Sequence, residues 1–136
     1  MAELPELPRI LLADDNPGIL EIVKYMLQKD FTIVGVVSDA ASVVRETREL
    51  NPDVLILDIS MGEVNGFQIA RSLRMQQCLS KIIFLTVHEE LEFIRAAFDA
   101  GASGYVFKSR MHTDLCAALK AVNAGKVFIP HAPIPQ

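Results

Sequence analysis

Asp14, Asp15, Asp58, Thr86 and Lys108 are the residues of this chain whose types could do chemistry together: three carboxylates, a hydroxyl and an ammonium. Three carboxylates in one crevice repel and raise one another's pKa unless a cation is present, and an all-oxygen set with room for water suits Mg²⁺ better than zinc. That predicts a site for a hard divalent cation. With part of the charge neutralised, one carboxylate becomes a nucleophile towards a phosphoryl group, while the metal, an ammonium and a hydroxyl receive the phosphoryl oxygens. Asp58, Lys108 and Thr86 fit the roles of nucleophile, ammonium and hydroxyl. Taken singly, each is an ordinary loop-end residue. Acting together, they require elements that bring them to one edge.

Those elements are legible in the apolar pattern. Val54-Leu55-Ile56-Leu57-Asp58, bounded by Asn51-Pro52-Asp53 and Gly62, reads as a strand buried on both faces, the middle of a sheet. A carboxylate at its C-terminal end emerges where open α/β sheets place their ligand sites, so Asp58 is expected to be offered to solvent. Arg9–Ala13 is a short apolar run stopped by Asp14-Asp15, after which Asn16-Pro17 supplies a helix N-cap and a proline at the first helical position. Ile19, Ile22, Val23, Met26 and Leu27 then form the predicted inward stripe. Phe31–Val37 is β-rich, and Ser38 or Asp39 caps a helix with Val43, Val44, Thr47 and Leu50 inward. After Asp58 come Gly62 and Gly66 and a helix carrying Phe67, Ile69, Ala70 and Leu73. Lys81–Thr86 is a fourth strand, followed from about Glu89 by a helix with Leu91, Ile94, Ala97 and Phe98 inward, stopped by Gly101. Gly104–Lys108 is a fifth strand, before a helix with Leu115, Leu119 and Val122. Met75, Met111 and Phe128 are assigned to core or tail packing, Arg71 and Arg74 to a solvated face.

Repeated strand-then-helix units predict a single doubly wound (βα)5, flavodoxin-like α/β domain with a five-stranded parallel sheet and right-handed crossovers. In such a sheet the strand ends carrying Asp14, Asp15, Asp58, Thr86 and Lys108 share one crevice. Residues 1–8 read as an extended tail, 9–125 as the domain, and 126–136 as a C-terminal extension or the start of a linker.

At 136 residues the chain is one domain with a real core; it is 51% hydrophobic and 22% charged. Its 13 basic and 17 acidic residues, net −4, argue against a surface that grips nucleic acid. Cys78 and Cys116 lack metal-ligand spacing and read as free thiols. No stretch approaches the roughly 20 apolar residues of a membrane span, so a cytoplasmic, soluble location is expected.

The acidic pair Asp14-Asp15, Asp58 with Gly66 eight residues on, Thr86, and Gly104-Tyr105 leading into Lys108 resemble the response-regulator receiver domain of two-component signalling. Gly101–Ser109 and Ala124–Pro130 are similar to receivers of the NarL/FixJ type, whose output is usually a helix-turn-helix domain. The resemblance implies that Asp58 is the phosphoacceptor, charged by a sensor histidine kinase, a phosphotransfer protein or a small acyl phosphate. It implies that Asp15 binds Mg²⁺ directly and Asp14 directly or through water, with Asp58 and the backbone carbonyl of Ser60 as further ligands; Mn²⁺ or another hard divalent cation would substitute. Thr86 would bond the phosphoryl group, Tyr105 would change rotamer in response, and Lys108 would pair with the phosphoryl oxygens. His88 and Ser60 stand where such receivers tune the lifetime of the acyl phosphate.

By the same resemblance the chain is no enzyme with a separate substrate; it assists its own phosphorylation and dephosphorylation. Phosphorylation would shift the face of the fourth helix, fifth strand and fifth helix, with homodimerisation as one consequence. Two departures stand out: Gly62 stands where the family often has proline, which predicts a more mobile loop beyond Asp58, and Ser109 stands where the family often has proline after the lysine, which leaves the geometry of the Lys108-Ser109 peptide open. Two other readings remain open, a receiver-like interaction module that is not phosphorylated and an aspartyl-nucleophile phosphatase. The second usually places an acid/base Asp where Ser60 stands.

Overall fold

A computed structural model of the chain describes residues 6–130, so most of the expected N-terminal tail and residues 131–136 lie outside the described part. Five strands, β1 (Arg9–Ala13), β2 (Thr32–Val37), β3 (Val54–Leu57), β6 (Lys81–Thr86) and β7 (Gly104–Phe107), pair in the order β2-β1-β3-β6-β7, all parallel. Helices α1 (Pro17–Leu27), α2 (Ala40–Leu50), α3 (Gly66–Met75), α4 (Leu91–Asp99) and α5 (Met111–Asn123) form the connections. The predicted doubly wound sheet is what the chain adopts.

The central run became β3 because every residue from Val54 to Leu57 has an apolar layer on whichever face it meets. Leu55 and Leu57 join the core under α2, α3 and α4; Val54 and Ile56 join the core under α1 and α5. The chain moves from β1 to β2 in one direction and from β3 to β6 in the other. The crevice between β1 and β3 is therefore the topological switch point, where an open sheet leaves room for a ligand.

Asn16 caps α1, accepting from the amides of Gly18 and Ile19, and Asp39 caps α2 through the Ser42 amide. In α1, however, the buried residues are Leu20, Val23 and Leu27, while Ile22 is exposed and Ile19 and Met26 are half-buried. The apolar stripe is rotated from the predicted one, because Leu20 belongs to a second overlapping helical repeat that places it over β1. Leu91, the first residue of α4, and Met75, the last of α3, are also exposed, contrary to expectation.

Two features were not foreseen. Ser60–Met61 (β4) and Val64–Asn65 (β5) form a two-stranded antiparallel hairpin beyond Asp58. Gly62 opens its two-residue turn with φ +71°, which tight hairpins favour and proline cannot adopt. The loop expected to be mobile is thus a closed hairpin. The second feature is Phe128, which bridges in parallel to Gly104 at the sheet edge, bonding through its carbonyl to the Tyr105 amide and through its amide to the Ser103 carbonyl. The expected extension from residue 126 therefore begins as a partner of β7.

Candidate functional site

The three carboxylates converge as the topology requires. β1 ends at Ala13 and β3 at Leu57, paired side by side, so Asp14 and Asp58 leave neighbouring strands at the same level. One ligand oxygen from each of Asp14, Asp15 and Asp58 lies within 4.8 Å of the others. Asp15 is exposed. Asp14 and Asp58 are 4% and 5% exposed, which corrects the expectation of a solvent-offered Asp58. The side chain of Lys108 and the backbone at Ser60 and Gly66 lie against it, and a strand read alone does not reveal its cover.

Lys108 comes from a single 3-10 turn, Lys108–Arg110, directly after β7. Its Nζ lies 2.9 Å from Asp58 Oδ2 and 2.9 Å from Asp14 Oδ2. The approach to Asp58 has hydrogen-bond direction; the approach to Asp14 is an ion-pair contact, and Asp14 Oδ2 is buried without a hydrogen-bond partner. Asp14 Oδ1 accepts from the Asn16 amide at 2.9 Å, a contact the sequence reading missed.

Burial pushes the Asp14 carboxyl above the usual carboxylate range, and the charge of Asp58 adds to this; Lys108 and the Asn16 amide pull the other way without winning. Burial opposes the charge on Lys108, yet its two carboxylate partners outweigh that and hold its pKa above the ordinary lysine value. One ammonium thus answers three carboxylates. A buried Asp14 oxygen that meets only the Lys108 ammonium, in an under-compensated, all-oxygen cluster, fits a hard divalent cation and does not fit zinc, which favours nitrogen and sulfur.

Thr86 ends β6, fully buried, with its Oγ1 at 3.4 Å from the His88 amide. Tyr105, on β7, is fully buried and donates from Oη to the His88 carbonyl at 2.7 Å. His88 itself stacks on Phe93 with ring centroids 4.2 Å apart, and its Nδ1 is 3.8 Å from Glu90 Oε2. Ser60 is exposed on the hairpin, its amide 3.4 Å from Asp58 Oδ1. The peptide between Lys108 and Ser109 is trans. Ser109 donates to Glu89 Oε2 at 2.8 Å, a further contact that sequence reading missed, although its place beside Lys108 was visible.

Gly66 explains how α3 can start so close to the site. Its amide bonds to the Ile59 carbonyl, and a Cβ there would stand 2.3 Å from the Asp58 carbonyl oxygen and 2.8 Å from Phe84. No side chain fits.

The model of the response regulator receiver domain matches residues 10–120. The nitrate/nitrite response regulator protein NarL of Escherichia coli strain K12 is 31% identical over 128 residues, covering 93% of this chain and 59% of that protein. The DNA-binding transcriptional activator EvgA of the same strain is 29% identical over 121 residues, covering 88% and 59%. This chain therefore spans about 59% of the length of these relatives. A crystal structure of a LuxR-family two-component response regulator from Aurantimonas sp. SI85-9A1 superposes with a TM-score of 0.87 at 31% identity, over 94% of this chain and 91% of that one. The isolated REC domain of RcsB from Salmonella enterica serovar Typhimurium, with phosphomimetic BeF3⁻, gives 0.85 at 28% identity, over 93% and 96%.

Proposed function

The chain belongs to the response-regulator receiver family, as the receiver domain of a NarL/LuxR-type two-component regulator, and from that premise we propose that Asp58 is its phosphoacceptor. The observation that carries this reading is the single ammonium of Lys108 held 2.9 Å from both Asp58 and the otherwise unpartnered Asp14 oxygen. Asp58 Oδ2 attacks the phosphorus of a phosphohistidine or a small acyl phosphate. An O–P bond forms to Asp58 as the donor's N–P or O–P bond breaks. Lys108 then transfers its contact from the carboxylate to the new phosphoryl oxygens, and the Thr86 hydroxyl donates to another.

Asp14, Asp15 and Asp58, with the Ser60 carbonyl, would hold Mg²⁺ or a similar hard cation, which when bound supplies positive charge for the phosphoryl oxygens. The chain's own residues supply the rest: Asp14 and Asp58 are desolvated, so each charge acts at short range, and Lys108 is fixed before the phosphoryl group arrives. Tyr105 and His88 report the change. When Thr86 moves towards a phosphoryl group, the 87–90 segment that accepts from Tyr105 moves with it, and Tyr105 is released to another rotamer.

Further along, the partners are a sensor kinase or phosphotransfer protein and an output domain of helix-turn-helix type beyond this chain. The relatives' greater length and the DNA-binding description of EvgA support that output. The chain works in the cytoplasm, as a phosphoryl carrier with no substrate of its own; no helix among the described residues is long and apolar enough to cross a membrane, and Cys78 and Cys116 are free. In a thermal unfolding test, beryllofluoride with Mg²⁺ raises the Tm of the natural chain and leaves Asp58→Asn unchanged. An equal rise in both would refute Asp58 as the acceptor and favour an interaction module.

A further inference from the structure

Two loops border the acidic crevice. Residues 87–90 follow Thr86, and the Lys108–Arg110 turn follows β7. The side chain of Ser109 joins them, donating from Oγ to Glu89 Oε2 at 2.8 Å. Among the described residues it is the one hydrogen bond between side chains of these two loops. Ser109 adjoins Lys108, and Glu89 stands three residues after Thr86.

Each end of this link is braced on its far side. The first loop rests on α4 through the stack of His88 on Phe93, and the turn is tied to α5 by Arg110 Nε to Asp114 Oδ2 at 3.1 Å. The turn itself has no side-chain cap. Lys108 leaves from this turn with its ammonium held 2.9 Å from both carboxylates, so the position of the turn sets where the ammonium sits. A lateral shift of the turn would move the ammonium relative to Thr86, and the two groups must close on the same phosphoryl oxygens.

We propose that Ser109 and Glu89 are positioning residues for phosphoryl acceptance, their hydrogen bond fixing the loop that supplies Lys108 against the loop that supplies Thr86. This rests on the reading of Asp58 as the acceptor. Neither residue touches the reacting atoms; the link acts by ordering the two loops in advance, so that less conformational freedom is lost when the phosphoryl group arrives. Breaking it from either end has the same effect, and breaking it from both ends adds nothing. Glu89 also carries a charge, but glutamine keeps an oxygen that accepts from Ser109, which separates the hydrogen bond from the charge.

The test measures beryllofluoride affinity in Mg²⁺ and the acetyl phosphate reaction rate for the natural chain, Ser109→Ala, Ser109→Thr, Glu89→Ala, Glu89→Gln and the double alanine variant. Ser109→Ala and Glu89→Ala each weaken both quantities about threefold to fivefold, the size of one exposed hydrogen bond, and the double variant is no worse than either. Ser109→Thr and Glu89→Gln stay within about twofold of the natural chain. Unchanged alanine variants, multiplied losses in the double, or a Glu89→Gln as impaired as Glu89→Ala would each overturn the proposal while the natural chain still reacts. A natural chain that takes neither beryllofluoride nor a phosphoryl group overturns the acceptor reading, and this proposal with it.

Discussion

Asp14 is held in the folded protein at a cost. Its carboxyl is buried, faces the charge of Asp58 and has one oxygen without a hydrogen-bond partner. Because its pKa is raised on folding, the charged form at neutral pH works against the fold. Asp14→Asn should therefore raise the Tm in metal-free buffer while abolishing the further rise that Mg²⁺ gives the natural chain; a lower metal-free Tm would contradict this. Lys108→Ala acts in the opposite sense. It strands two buried carboxylates and should lower metal-free stability by about 2 kcal/mol in urea unfolding, below the cost of breaking a sealed pair because the crevice opens to solvent at Asp15.

Tyr105 gives a second test at this scale. Burial first, and then the charges of Glu90, Asp58 and Glu89, push its phenol well above the ordinary value of 10.0. Above about that pH the unfolded phenol loses its proton while the folded one keeps it, so stability falls as pH rises. Tyr105→Phe removes this dependence. It should be about 1 kcal/mol less stable near neutrality, for loss of the bond to His88, and its stability curve should be flatter than the natural chain's in alkali. Parallel curves would mean that the phenol is not confined as described.

At the scale of elements, the main strands were legible because Arg9–Ala13, Val54–Leu57 and Lys81–Thr86 are dense apolar runs between turn residues, a pattern that needs no tertiary information. Helix faces were less legible. In α1, Ile22 and Leu20 compete for the same core, and only the position of the sheet decides in favour of Leu20. Strands of two residues carry no periodicity, so the hairpin of β4 and β5 left no signal beyond Gly62. The site divides similarly: its five side chains were readable as types at strand ends, whereas the burial of Asp58 and the contacts of Asn16, Glu89 and Ser109 arise from loops that meet in space. Gly66 links the two levels. Gly66→Ala should move the start of α3 away from β3, destabilising the fold by several kcal/mol, on the order of a severe overpacking, and weakening Mg²⁺ binding as Asp58 shifts. A variant with natural stability and metal affinity would show that the close approach at the Asp58 carbonyl is not tight.

For the whole molecule, the order β2-β1-β3-β6-β7 does most of the work. It opens the crevice between β1 and β3, sets Asp14 beside Asp58, and brings Thr86 and Lys108 from the two strands beyond. The same sheet carries the chain's exit, since residue 128 is bonded to β7 beside Tyr105. On the proposal that Asp58 is the acceptor, its phosphorylation would reach both the α4 side and the exit segment through one strand, and beryllofluoride with Mg²⁺ should change the chain's association, read by light scattering as a rise towards dimer. Equal mass with and without it would rule out dimerisation as this domain's response.

The most direct measurement is the intact mass of the protein after incubation with acetyl phosphate, with and without Mg²⁺, for the natural chain and Asp58→Asn. Asp58 as the phosphoacceptor predicts one added phosphoryl group that needs the metal and is absent from the variant. A natural chain without the adduct, or an adduct that persists in Asp58→Asn, would contradict it.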